Sequence, residues 1–217
     1  MMPYFRVFCT PLEPRANLIN TDDQAIQQLV RQPRRTREAG WVLYDAHEVV
    51  PSPEGLQANR IGGRKLFLLK NGHLEYWEPC LSELFQWSQA EKAREKHPWL
   101  YPYAICELPV NFFQLASDIY ERAGLECEVL AGEAFYSIQG FILVPYRPRS
   151  VAFIQGYRTD IKPYATQDLK VGPVTVPIPF TPDHVAYELT KQVYQAFGLA
   201  PQDIYLFDKD GNFCPEG

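Results

Sequence analysis

The sequence predicts an α+β fold, an antiparallel-rich mixed sheet with about four helices packed on it, on three observations. Strand-like apolar runs and four helical stretches both occur along the chain. An Asn-Gly pair at positions 71–72 lies between two β-rich runs. The chain also carries 19 prolines and 14% aromatic residues. That makeup suits short strands and ordered loops, because proline fixes φ and cannot donate within a sheet.

The elements follow in order. Residues 4–9 read as a short strand. A first helix is expected at 21–32, with Thr21 and Gln24 as a capping box, Asp22 and Asp23 at the positive end and Ile26, Leu29 and Val30 as the apolar stripe. Pro33 ends it. A strand at 41–50 comes next. In 65–78, Asn71-Gly72 accepts the positive φ angles of a type I′ turn, which predicts a β-hairpin. A second helix is expected at 79–96, apolar first and then charged. A third, at 110–123, carries Phe112, Leu115, Ala116 and Ile119 and stops at Gly124. Strands are expected at 126–130, 135–144, 151–154 and 174–178. The fourth helix is capped by Thr181, has Pro182 at its first position and closes at Gly198. Residues 204–207 read as a last strand.

At 217 residues with 46% hydrophobic side chains, the chain can bury a core without disulfides or metal. A single domain over 1–217 is expected, with 98–102 as the seam if it divides into lobes. Five widely spaced cysteines with no Cys-x-x-Cys read as reduced thiols. The longest uncharged stretches are about 12 residues, short of the roughly 20 a membrane span needs. The expected location is cytoplasmic, with no membrane partner. The net charge of −5 speaks against a wholly basic surface but leaves room for a local patch.

Catalytic and cofactor motifs are sparse. The segment from Asp208 to Asn212 looks like the start of an EF-hand loop, but position twelve would lie beyond the last residue, so it reads as a turn. No dinucleotide or phosphate-binding glycine motif occurs, and Ile61-Gly-Gly-Arg64 reads as a turn. His47, His73, His97 and His184 are scattered, and no metal set or cofactor is expected. Cys106 lies in an apolar run where a thiol is inert. Glu107, an acid between apolar runs, is the one catalytic candidate. It would need converging carboxylates such as Asp118, Glu121 or Asp160 to hold a metal.

Two binding surfaces stand out. Arg31, Arg34, Arg35 and Arg37, followed by Trp41, put guanidiniums suited to phosphate beside an indole suited to stacking. The plain alternative is a solvated loop. Trp99, Tyr101 and Tyr103, together with Arg147 and Arg149, make a rigid amphipathic surface suited to a protein groove. The plain alternative there is core edge and ordered loop.

A family resemblance accompanies these readings. It rests on Thr36-Arg-Glu-Ala-Gly40-Trp41, Glu54-Gly55-Leu56, the stretch from Asn71 to Trp77, Leu100-Tyr-Pro-Tyr103 with the run from Glu107, and the run from Gln139 to Tyr146. Over 18–153 the chain resembles a region that follows a Schlafen-like, AlbA-type DNA-binding (ATP-binding) domain in some bacterial proteins. That domain itself has no counterpart here, so no nuclease or ATP-binding residue carries over. The resemblance implies an accessory module beside a nucleic-acid-handling partner. The expected function is therefore a non-catalytic interaction or regulatory module with a protein partner, and with nucleic acid as a second candidate. The alternatives are a carboxylate-based, metal-dependent hydrolase or nuclease, and a small-ligand binder with an aromatic pocket.

Overall fold

A computed structural model describes residues 2–36, 43, 48–59, 62–81, 85, 97–143 and 162–215. The strands are β1 (Tyr4–Pro11), β2 (Val49–Ser52), β3 (Gly55–Asn59), β4 (Lys65–Leu69), β5 (Leu74–Pro79), β6 (Trp99–Leu100), β7 (Glu128–Tyr136), β8 (Ile142–Leu143) and β9 (Leu169–Pro177). Three α-helices occur among the described residues: α1 (Gln24–Arg31), α2 (Pro102–Arg122) and α3 (Pro182–Ala196).

Seven strands form one sheet in the order β2-β3-β4-β5-β1-β7-β9, with every neighbouring pair antiparallel. The short β6 and β8 pair in parallel apart from it. The fold is thus α+β with a large antiparallel sheet. Its described helices number three against the four expected. The second expected helix, at 79–96, falls largely outside the described residues, and Pro79 itself closes β5.

Alternation on the strands creates two unlike faces. Phe5, Val7 and Cys9 on β1, with Leu66, Leu68, Leu74, Tyr76, Val129, Ala131 and Phe135, are almost wholly buried and form one core with the helices. Helix α1 packs near β2 and β3, α2 near β1, and α3 against β7 and β9. The opposite strand positions are half-buried or exposed on β1, while on β7 Gly132 and Ala134 are covered by their neighbours.

Several expectations shift for physical reasons. Helix α1 is capped by Asp23, whose carboxylate accepts the N–H of Ala25 at 2.8 Å, not by a Thr21–Gln24 box. Helix α2 starts eight residues before 110 and runs through Pro109. Every residue from Ala104 to Phe113 is buried, so this stretch lacks the one-sided stripe that marks a surface helix. Helix α3 begins and ends close to its expected positions, although the Thr181 side chain makes no capping bond.

The hairpin of β4 and β5 forms, but through a three-residue loop. Gly72 N–H donates to the Leu69 carbonyl, Leu69 N–H donates to the His73 carbonyl, and of the Asn71-Gly72 pair Gly72 alone has positive φ, at 87°. That is a type I turn with a glycine bulge in place of a type I′ turn. Most of the strand expected at 126–130 and the first two residues of that at 135–144 belong to one strand, β7, and of the rest of 135–144 the described strand is the short β8. The expected strand at 204–207 joins no sheet and makes a single bridge, Phe207 to Phe213. The expected strand at 151–154 and most of that at 41–50 lie outside the described residues.

Candidate functional site

The face of the sheet away from the helices carries its chemistry on the adjacent strands β5, β1 and β7. The β1 sequence Tyr4-Phe-Arg-Val-Phe-Cys-Thr10 sends Tyr4, Arg6, Phe8 and Thr10 to this side and Phe5, Val7 and Cys9 into the core. On β5 the same alternation presents Glu75 and Trp77. Register then fixes the neighbours: Arg6 lies opposite Trp77 on β5 and Ala134 on β7, and Phe8 lies opposite Glu75 and Gly132. Gly132 is required by packing, because a Cβ there would sit 2.7 Å from Cζ of Phe8.

Arg6 is the centre of the cluster. Its Nε–H donates to Glu75 Oε2 at 2.8 Å, and its guanidinium carbon stands 5.0 Å from the Phe8 ring centroid and 5.5 Å from that of Trp77. Trp77 stacks on Tyr136 at 6.0 Å with planes 11° apart, and Tyr4 meets Trp77 edge-on at 6.1 Å. His73, just past the hairpin turn, bonds Thr10 Oγ1 through Nδ1 at 2.6 Å and faces Glu75 Oε2 through Nε2 at 3.3 Å. Burial alone would raise the Glu75 carboxyl. Hydrogen bonds from His73 and Arg6, with the Arg6 charge, outweigh it and bring the pKa down to about 2. The acid is therefore a fixed anion that orients both cationic and imidazole neighbours. Two exposed lysines flank the cluster in the same row, Lys65 opposite Trp77 and Lys170 opposite Ala134.

The residues singled out from sequence scatter over other places. Arg34 Nε stands 3.5 Å from Asp118 on α2, with the Arg34 side chain 71% exposed. Arg34, Arg35 and Thr36 border a cleft of about 270 Å³ with Gln114, Asp183 and Phe213. Asp118 and Asp183 offset the arginine charge there. Arg37, Trp41, Arg147 and Arg149 lie outside the described residues. Trp99 is 7% exposed in β6, in the protein interior rather than on a surface. Tyr101 and Tyr103 are half-buried and stacked at 5.7 Å, and Tyr103 Oη donates to the Pro215 carbonyl. Tyr103 thus ties Pro215 to α2.

Glu107 is fully buried on α2 beside the buried thiol Cys106. Among the described residues, no group of three or more His, Cys, Asp or Glu could hold a metal ion, and Asp160 lies outside them. Asp208 closes a turn, accepting the N–H groups of Asp210 and Asn212 at 2.9 Å.

Sequence reasoning missed the outer-face cluster. Its signal was present as His73-x-Glu75-x-Trp77 beside Arg6-x-Phe8-x-Thr10, two period-two patterns that pair once the hairpin forms. No known family, curated protein or solved structure matches this chain.

Proposed function

We propose that the chain is a non-catalytic interaction module that presents the outer face of its seven-stranded sheet to a partner. The observation that carries this reading is Arg6, held by Glu75 between the Phe8 and Trp77 rings on an inner strand of the sheet. Ordered aromatic rings and a pre-oriented guanidinium are the groups that dominate binding energy at interfaces. They lose little conformational entropy on contact, because neighbouring rings and the ion pair already fix them. Helices cover the other face, so the strands give the cluster a rigid support. An accessory role of this kind accords with the one implied by the sequence resemblance.

The test is capture of partners from the native cell by wild type and by Phe8→Ser and Tyr136→Ser variants, with and without nuclease treatment. Folding of each variant is checked by circular dichroism. Ring-dependent capture supports the reading, and capture indifferent to both substitutions contradicts it.

A further inference from the structure

We infer that the partner of this face is a single-stranded nucleic acid, with its bases stacked on the rings and its phosphates held by the flanking lysines; this rests on the outer face being the binding surface. The first support is the cross-strand row Lys170–Ala134–Arg6–Trp77–Lys65, which follows from the pairing register of five adjacent strands. At about 4.8 Å between strands, the two lysines stand roughly 19 Å apart across the sheet, with a cation and an indole between them. A strand of nucleic acid laid along this row meets positive charge at both ends and ring surface in the middle.

The second support is local charge. The described strand positions on this face carry three cations, Arg6, Lys65 and Lys170, against two acids, Glu75 and Glu128. The face is net positive by one, while the whole chain is at −5. Glu75 is moreover occupied by Arg6 and His73. The third support is the type of group. Rings on a flat strand surface, flanked by flexible ammonium groups, suit stacking and backbone contact without base-specific readout. A duplex hides its base faces and could use only the lysines.

The experiment is fluorescence anisotropy with a labelled 12-nucleotide oligo-dT, its oligo-U counterpart, and a 12-base-pair duplex, over a series of salt concentrations. Wild type binds both single strands in preference to the duplex. Phe8→Leu and Tyr136→Ser each weaken single-strand binding roughly 5- to 150-fold, the size of one lost stacking contact. The exposed pair Lys65→Ala/Lys170→Ala, which removes no core packing, leaves the fold intact. It flattens the slope of log affinity against log salt by about 1.4, at about 0.7 per phosphate contact. A lysine pair variant with an unchanged salt slope, or equal affinity for duplex and single strand, overturns the inference. If the oligonucleotides are ignored while cellular capture still depends on Phe8 and Tyr136, the interaction module stands and nucleic acid is excluded as its partner. If neither measurement depends on the rings, both fall.

Discussion

Two carboxylates show how opposite environments set opposite pH behaviour. Glu133 on β7 faces the core at 1% exposure, neither of its oxygens has a hydrogen-bond partner among the described residues, and burial pushes its pKa well above the carboxylate range. The folded protein therefore keeps a proton that the unfolded chain gives up above about pH 4.3. Stability falls as pH rises from there towards neutrality. Glu133→Gln keeps the shape without that linkage. Urea unfolding of the variant is expected to give stability that varies less between pH 4 and 8 and is higher than wild type at pH 7. Glu75 runs the other way. Its folded pKa of about 2 lies below the unfolded value, so its contribution is present above about pH 4.3 and lost as pH drops towards 2. Glu75→Gln is expected to flatten the acid limb of the stability curve, which the same titration extended to pH 2 reads out. Neither role was legible from sequence. Glu133 sits in a strand with a second acid, the exposed Glu128, and its burial depends on helices distant in the chain. The Glu75 neighbour His73 is close in sequence, but the Arg6 that holds Glu75 comes from β1, 69 residues away.

At the scale of elements, helix α2 is tied to the strands by one side chain. Tyr120 Oη, fully buried, donates to the Gly72 carbonyl at 2.8 Å and lies 3.2 Å from the Cys9 carbonyl. It thereby joins α2 to both the hairpin turn and β1. Tyr120→Phe leaves these carbonyls without that donor, at a cost of about 1–3 kcal/mol, measurable by chemical denaturation. The turn itself has little tolerance. Gly72 has φ of 87°, and a Cβ would lie 2.7 Å from Cγ of Pro11. Gly72→Ala is expected to lower stability by at least about 1 kcal/mol from backbone strain alone. The hairpin was readable because Asn-Gly and period-two flanks act locally. The first half of α2 was not readable, since a helix buried on every side has no periodic stripe and Pro109 imitates a stop.

For the whole molecule, the order of strands matters more than their number. The fold class and the large antiparallel sheet could be read from composition and turns. The placement of β1 between β5 and β7 could not, since pairing partners so far apart leave no local trace. That placement is also what assembles the outer face, because Arg6 and Phe8 meet Trp77, Glu75 and Gly132 through it. Removing residues 1–11 would separate the β2–β5 strands from β7 and β9. Thermal unfolding of such a truncation is expected to lose its cooperative transition.

The same arrangement bears on how the chain is made. At about 5–20 residues per second on the ribosome, β1 emerges some 125 residues ahead of the end of β7, a wait of roughly 6–25 s. During that interval its alternating rings and aliphatic groups have no strand on one side. Newly synthesised β1 is thus a natural client for a chaperone that recognises extended apolar segments.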